Sequence, residues 1–187
     1  MKTYQPITAE IIEKLKAITG PTYVKTDKDL LLQYQTDYET NPAMFHLPEA
    51  AVSPANAQEI SDIVKLANEY DFPITVRSGG TSLADGAIPV CGGLVLCMDR
   101  LNKIIELNEE GMYMTVEAGV RTVDLQNAAK KVGLMYAGDP SSAESCLIGG
   151  NLATNAGGLR AVRYGVTRDQ VYCLEIVTPT GDIDRKS

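Results

Sequence analysis

Residues 73–89, PITVRSGGTSLADGAIP, place a strand-like run directly before a glycine-rich loop. The run is ITVR, and the loop that follows it begins SGGTS. Glycine adopts backbone angles that other residues resist, so consecutive N–H groups in such a loop can converge on one anion. Its hydroxyl groups would add hydrogen-bond donors, and Arg77 would add a permanent positive charge nearby. An ordinary turn explains the same residues, so the loop alone leaves a turn and a phosphate-binding loop as alternatives.

Two common phosphate-binding motifs do not occur in this loop. It has no P-loop pattern G-x-x-x-x-G-K-[ST], and RSGGTSLADG lacks the G-x-G-x-x-G spacing that opens a helix in dinucleotide-binding folds. No helical pattern follows the loop either. We therefore expect a phosphate bound here to meet a loop and not the N-terminus of a helix.

A second glycine-rich stretch, GDPSSAESCLIGGNLATNAGGLRAVRYGVTRD, covers residues 138–169. It is dense in glycine and asparagine, a composition that lets backbone approach a large planar ligand closely. The amides of Asn151 and Asn155 could bind ring heteroatoms, or they could fix the loop itself. An omega loop held by its own hydrogen bonds is the alternative. Two such stretches in one domain, each beside a predicted strand, favour a single ligand site built from both.

Composition and charge narrow the class of protein. The 187-residue chain is 44% hydrophobic and 22% charged, which is ordinary for a folded globular domain. Its formal net charge of −7 argues against binding to nucleic acid or to an anionic membrane surface. We find no apolar run of about 20 residues that could span a bilayer, and no signal peptide, so we expect a cytoplasmic protein.

The cysteine and histidine side chains that bind zinc are few. The four cysteines are Cys91, Cys97, Cys146 and Cys173. They form no C-x-x-C pair, and His46 is the single histidine of the sequence. We therefore predict no metal site, and four reduced, mostly buried thiols in preference to disulfides. His46 belongs to a turn-rich segment, residues 36–50, and we interpret it as a loop residue.

Helical and strand patterns alternate along the chain. Helices are predicted over residues 8–19, 27–35, 55–71 and 123–133, with Thr8, Asn56 and Thr122 as N-caps. Strands are predicted over residues 50–54, 74–77, 93–98 and 171–177, and a hairpin over residues 103–119. This pattern predicts an α+β chain with a mixed sheet and not an even βαβ alternation.

The chain is predicted to have two parts. Residues 1–48 would form an N-terminal helical arm, and residues 49–187 would form the main domain. The segment TPTGDI opens a further hairpin, which we expect to lack a full returning strand before Ser187. We therefore expect the main domain to be incomplete at its C-terminal end.

Three segments together resemble one group of flavoproteins. In order they are RSGGTSLADGAIP, GDPSSAESCLIGGNLATNAGG and RYGVTRDQVYCLEIVTPTGD. They look like the FAD-binding domain of the glycolate oxidase D-subunit and D-lactate dehydrogenase group, within the vanillyl-alcohol oxidase/p-cresol methylhydroxylase superfamily. The resemblance covers about residues 48–184. It implies an α+β fold of two subdomains with mixed and antiparallel sheets, flanking helices and FAD between the subdomains.

The resemblance also implies a reaction, in which a 2-hydroxy acid of the glycolate or D-lactate class passes a hydride to FAD. In the family, a cap domain outside the present sequence holds the substrate, so we assign no catalytic residue here. Reduced flavin would pass electrons to a protein or a quinone. Two alternatives remain open at this point. One is a non-catalytic, truncated FAD-binding or scaffold module, and the other is an FAD-linked oxidase with a different substrate.

The resemblance implies a set of cofactor contacts. The first loop would wrap the FAD pyrophosphate, the second stretch would follow the ribityl chain and flavin ring, and a strand near residue 176 would lie by the adenine. The implied contact residues are Arg77, Ser78, Gly79, Gly80, Thr81, Ser82, Gly86, Ala87, Asp139, Ser142, Gly149, Gly150, Asn151, Thr154, Ala156, Gly157, Gly158, Tyr164, Gly165, Ile176 and Val177. Members that bind flavin covalently through the first loop carry a histidine where this chain has Thr81, so we predict non-covalent FAD.

Overall fold

The computed structural model describes residues 3–38 and 41–186. Its helices are α1 (Ala9–Thr19), α2 (Lys28–Leu31), α3 (Ala57–Tyr70), α4 (Thr122–Lys131), α5 (Ile148–Thr154) and α6 (Ala161–Tyr164). Its strands are β1 (Val24–Lys25), β2 (Ala50–Val52), β3 (Ile74–Arg77), β4 (Leu94–Cys97), β5 (Ile104–Asn108), β6 (Tyr113–Val116), β7 (Leu174–Val177) and β8 (Ile183–Lys186). Short 3₁₀ turns cover Pro21–Tyr23, Leu32–Tyr34, Pro42–Met44 and Thr167–Gln170. Five residues of the predicted segments lie outside the described residues, namely Met1, Lys2, Glu39, Thr40 and Ser187.

Local side-chain caps fix the ends of the first long helices. The Thr8 side chain accepts a hydrogen bond from the backbone N–H of Ile11 and begins α1, as predicted. The Asn56 side chain likewise accepts from the N–H of Glu59, 2.9 Å away, and begins α3. The Glu59 carboxylate accepts from the N–H of Ala55. The predicted capping is therefore confirmed at both helices, with the return bond of α3 one residue earlier than a standard capping box places it.

A four-stranded mixed sheet, in the order β1-β2-β4-β3, forms the first half of the molecule. β1 is antiparallel to β2, whereas β2 and β3 each run parallel to β4. Every residue of the central strands β2 and β4 is buried, as expected for parallel strands covered on both faces. On one face, Ile11 and Leu15 of α1 and Ile63 of α3 pack in a single core with Leu94 and Leu96.

The opposite face of the same sheet is covered by the segment that follows β1. Leu31 and Tyr34 pack there against Ala51, Val95 and Cys97. Residues from the N-terminal segment thus cover both faces of the sheet, and β1 extends its edge.

A smaller α/β layer follows in sequence. β5 and β6 form the predicted antiparallel hairpin. Val120, Leu125 of α4 and Ile148 of α5 make a core of their own, against which Ile104 and Val116 of the hairpin pack. The four-stranded sheet with the cores on its two faces, and this layer with its own core, correspond to two subdomains. The α+β fold with mixed and antiparallel sheets is confirmed.

The last hairpin corrects one prediction. We expected the returning strand after TPTGDI to be incomplete, but β7 and β8 pair over four residues each, from Leu174↔Lys186 to Val177↔Ile183. The hairpin turn lies against α3, because Ser61 Oγ donates to the Gly181 carbonyl and Asn68 Nδ2 donates to the Pro179 carbonyl. These long-range bonds could not be read from local sequence.

Three further predictions were wrong or too strong. Thr122 is the first residue of α4 and not its N-cap, since its side chain is buried and bonded elsewhere. The stretch 138–169 is not one continuous loop, because α5, α6 and a 3₁₀ turn interrupt it. Of the four free cysteines, Cys97 and Cys146 are buried but Cys91 and Cys173 are exposed, so "mostly buried" was too strong. His46 lies in an irregular segment, as predicted.

Candidate cofactor site

A cleft of about 990 Å³ lies between the two subdomains, after the end of β3. The loop that follows β3 forms one wall, and the segment from Ser142 through α5 forms the other. Thirteen of the residues named from sequence line it: Ser78, Gly79, Gly80, Thr81, Ser82, Gly86, Ala87, Ser142, Gly149, Gly150, Asn151, Thr154 and Ala156. The structure therefore brings the two glycine-rich stretches, about 70 residues apart in sequence, to one concavity.

The two stretches contact each other at the base of the cleft. The backbone N–H of Gly150 donates to Ser78 Oγ at 3.0 Å. A Cβ placed on Gly79 would lie 2.6 Å from the Ser145 carbonyl oxygen, closer than real Cβ atoms approach another atom. Glycine at position 79 is thus required by the close approach of the second stretch, independently of any ligand.

The first loop carries free hydrogen-bond donors on the cleft wall. Among the described residues, the backbone N–H groups of Gly79, Gly80 and Thr81 donate to no protein acceptor. Consecutive unpaired N–H groups of this kind form an anion-binding concavity. Gly80 has φ +63°, a left-handed conformation that turns the loop there. This donor set fits the pyrophosphate of a dinucleotide.

The start of α5 is already hydrogen-bonded within the protein. The N–H of Ile148 donates to the Val120 carbonyl at 2.9 Å, and that of Gly149 donates to the Ala118 carbonyl at 2.8 Å. The N–H of Gly150 is held by Ser78 Oγ. These three N–H groups of α5 are therefore engaged within the protein, whereas those of residues 79–81 are not. That an anion bound here would meet a loop and not a helix end stays a prediction.

Several cleft residues were missed by the sequence reasoning. They are Ile74, Thr75, Val76, Leu83, Ala84, Asp85, Ile88, Val90, Met98, Ala118, Cys146, Leu147 and Ala153. Val76 and Leu83 are large apolar side chains with 57% and 78% of their surface exposed, which suits contact with the apolar part of a ligand. Asp85 Oδ1 is buried and has no hydrogen-bond partner within residues 3–38 and 41–186, so a donor from a ligand would be accepted there. The alternation of side chains between the two faces of strand β3 was the one sequence signal that could have indicated Val76 as a cleft residue.

Asn151 uses its amide inside the protein. Its side chain is 4% exposed, and Nδ2 donates to Thr122 Oγ1 at 2.6 Å. The same hydroxyl lies 3.2 Å from the thiol of buried Cys146. This buried chain of hydrogen bonds joins α5 to the first turn of α4 and fixes the cleft wall.

Arg77 does not line the cleft. Its Nη1 donates to the Thr36 carbonyl at 2.7 Å, on the far side of the loop. Burial lowers the pKa of the guanidinium, while the charge of the nearby Asp37 carboxylate opposes that shift.

The remaining residues named from sequence also lie outside the lining of the cleft. They are Asp139, Gly157, Gly158, Tyr164, Gly165, Ile176 and Val177. The Asp139 carboxylate pairs with Arg160 at 3.4 Å and accepts from Gln126 at 3.3 Å, so its local partners explain its position. Ile176 and Val177 belong to the hairpin that packs on α3. A contact of these residues with FAD stays a prediction.

Neither a metal cluster nor a membrane-spanning helix occurs among the described residues. In residues 3–38 and 41–186, no three or more His, Cys, Asp or Glu side chains are grouped so that they could hold a metal ion. No helix of the same residues combines the length and apolar character needed to cross a bilayer.

Solved structures define the class of protein. An alkyldihydroxyacetonephosphate synthase matches 97% of this chain, and 35% of its own, with a TM-score of 0.85 and 25% identity. p-Cresol methylhydroxylase with substrate bound matches 93% of this chain, and 34% of its own, with a TM-score of 0.81 and 28% identity. The chain therefore has the FAD-binding fold of the vanillyl-alcohol oxidase/p-cresol methylhydroxylase type.

Sequence relatives define the family. The FAD binding domain model matches residues 48–186. Glycolate oxidase subunit GlcD of Bacillus subtilis is 41% identical over 96% of this chain, and D-lactate dehydrogenase of Anaerostipes hadrus is 36% identical over 96%. The chain belongs to the FAD-binding domain family of FAD-linked oxidoreductases, and its cofactor is FAD. It spans only 38% and 37% of the lengths of these two relatives.

Proposed function

We propose that this chain is the FAD-binding part of a flavin-dependent dehydrogenase or oxidase that acts on a 2-hydroxy acid of the glycolate or D-lactate class. The observation that carries the proposal is the cleft, in which unpaired N–H groups of residues 79–81 lie opposite the glycine pair of α5. The names of the relatives support the substrate class, since they include a glycolate oxidase subunit and a D-lactate dehydrogenase.

The residues of this chain would bind and orient the cofactor. The N–H groups of Gly79, Gly80 and Thr81 would hold the pyrophosphate, and the exposed apolar side chains of Val76 and Leu83 would cover part of the ligand against water. FAD, when bound, supplies the hydride acceptor of the reaction. Substrate binding and proton removal are assigned to no residue here. We further propose a cytoplasmic protein that passes electrons to a protein or a quinone.

A titration of the 187-residue chain with FAD tests the cofactor site. We expect the fluorescence of FAD to change saturably and the melting temperature to rise, because a ligand that binds the folded state stabilises it. Riboflavin, which lacks the pyrophosphate, is the control ligand and should bind much more weakly. Absence of any response to FAD would favour the scaffold-module alternative.

Acid precipitation tests the mode of attachment. Because Thr81 stands where a covalent link would need a histidine, we expect all flavin of the loaded protein to remain in the supernatant. Flavin that stays with the precipitate, and that is seen on a peptide by mass spectrometry, would contradict non-covalent binding.

The substrate class is tested with the full-length protein that contains this chain. Anaerobic addition of glycolate, D-lactate or D-2-hydroxyglutarate should bleach the oxidised flavin band for at least one of them. The third acid is included because D-2-hydroxyglutarate dehydrogenase of Stutzerimonas stutzeri is 37% identical over 92% of this chain. If no 2-hydroxy acid bleaches a flavin that dithionite reduces normally, the substrate class is wrong while the cofactor site stands.

A further inference from the structure

The guanidinium of Arg77 lies beneath the first loop and is bound to the N-terminal segment. Nη1 donates to the Thr36 carbonyl at 2.7 Å. A Cβ on Gly80 would overlap the guanidinium, so the loop backbone rests directly on this side chain. Arg77 is the last residue of β3, which makes it the junction between the rigid sheet and the loop.

A second bond attaches the same loop to the same segment. The backbone N–H of Tyr38 donates to the Ser82 carbonyl at 3.1 Å. Residues 36–38 therefore hold the loop at two places, one at each side of its free N–H groups. Loop donors are strongest as an anion site when they are fixed before the ligand arrives, because no ordering cost is then paid on binding.

The charge of Arg77 is also engaged away from the cleft. The guanidinium lies 5.8 Å from the centre of the Tyr34 ring, and the charge of Asp37 is close enough to favour its protonated form. Lys25 reaches the same tyrosine, with Nζ 2.6 Å from its hydroxyl oxygen. Arg77 and Lys25 thus both contact Tyr34. Of these two cations, only Arg77 also contacts the loop.

We propose that Arg77 is a positioning residue for FAD: it holds the N–H groups of residues 79–81 in place by binding the Thr36 carbonyl under Gly80, and it does not contact the cofactor phosphate. The assignment rests on the proposed cofactor site. It reverses the role that sequence alone favours, in which the arginine supplies charge to the anion.

The test is FAD affinity of the 187-residue chain at several salt concentrations. Arg77→Met keeps the length of the side chain but removes its donors and charge. We expect about a tenfold or larger loss of affinity, as for removal of a charge-assisted hydrogen bond, with the dependence on salt unchanged from the wild type. A direct contact with phosphate would instead make the salt dependence of the variant shallower, because one screened charge pair would be missing.

Arg77→Lys keeps the positive charge and is the milder change if Arg77→Met does not fold. A lysine serves a phosphate as a point charge, so a contact role predicts affinity close to that of the wild type. The positioning role predicts a several-fold loss, since an ammonium cannot bind Thr36 and support Gly80 together. The matched control is Lys25→Met, which removes the other cation on Tyr34 and should leave FAD affinity within about twofold.

The outcomes separate this inference from the proposed function. If the wild type itself binds no FAD, the cofactor site fails and the assignment of Arg77 falls with it. If the wild type binds FAD, three results overturn the Arg77 assignment alone: near wild-type affinity of Arg77→Lys, a shallower salt dependence of Arg77→Met, or equal losses in Arg77→Met and Lys25→Met.

Discussion

At the scale of single residues, the buried hydroxyl of Thr122 is the centre of the polar contacts behind the cleft. It accepts from Asn151 and lies within hydrogen-bond distance of Cys146, and its own side chain is fully buried. A buried amide that loses its acceptor cannot recover that bond from water. The position of α5 therefore depends on one hydroxyl group that local sequence patterns assign to helix capping.

Thr122→Val should destabilise the chain by about 1–3 kcal/mol, because valine has the same shape but leaves Asn151 Nδ2 without its acceptor. The measurement is the free energy of unfolding from urea titrations. Thr122→Ser, which retains the hydroxyl, is the control and should lose clearly less. Equal stability of the valine variant and the wild type would mean that the Asn151 amide finds another acceptor.

At the scale of elements, the cleft exists because the loop after β3 and the segment before α5 approach each other closely. Ser78 binds the backbone of Gly150, and Gly79 leaves no room for a side chain against Ser145. The glycines of the two stretches thus serve the junction of two subdomains as well as the proposed ligand. Sequence analysis favours a ligand site built from both stretches, with a turn and an omega loop as alternatives, but it does not predict that the stretches contact each other.

The substitution Gly79→Ala should push the loop after β3 away from the segment before α5. The backbone angles of Gly79 do not require glycine, so the expected effect comes from the overlap of the new methyl group with the Ser145 carbonyl. We expect a loss of about 1–3 kcal/mol of stability, and weaker binding of FAD, measured by urea unfolding and by fluorescence titration.

Gly86→Ala is the matched control in the same loop. A Cβ at Gly86 has no atom within 4 Å, and its φ is not in the left-handed region. The free energy of unfolding of the Gly86→Ala variant should stay within about 0.5 kcal/mol of the wild-type value or rise slightly. If both alanine variants unfold alike, the loss at Gly79 does not come from its contact with Ser145.

At the scale of the whole molecule, the N-terminal segment is part of the first core. Ile11 and Leu15 pack with Ile63 and Leu94, and β1 pairs with β2. The family match begins at residue 48, so this segment lies outside the matched domain yet contributes to its hydrophobic core. The division into residues 1–48 and 49–187 stays a prediction.

Leu15→Ala tests the contribution of this segment. Leu15 is fully buried, so we expect a loss of about 2–5 kcal/mol in the free energy of unfolding. Leu30→Ala, at a half-exposed leucine of α2, should change it by about 0.5 kcal/mol or less. A small loss at Leu15 would indicate that α1 is only loosely attached to the sheet.

Local patterns were reliable where a few neighbouring residues decide the structure. Thr8 and Asn56 cap their helices as predicted, and the hairpin of β5 and β6 forms where its turn was expected. Local patterns failed where a residue distant in sequence determines the structure. Thr122 resembles an N-cap, but its hydroxyl is taken by Asn151, 29 residues away. The helix α5 contains two adjacent glycines, which disfavour a helix locally, and contacts with Ala118 and Ser78 stabilise it instead.

The sequence by itself determined the family, through the resemblance of three segments. It also determined the α+β class and the two glycine-rich stretches, because hydrophobic periodicity and glycine spacing are local properties. Only the tertiary structure decided what each side chain of those stretches does. Arg77 ends a strand two residues before a glycine pair, which is the pattern of an anion ligand, yet it binds the Thr36 carbonyl beneath the loop. The physical reason is that a hydrogen-bond donor is satisfied by the nearest acceptor in space, and folding determines which acceptor that is.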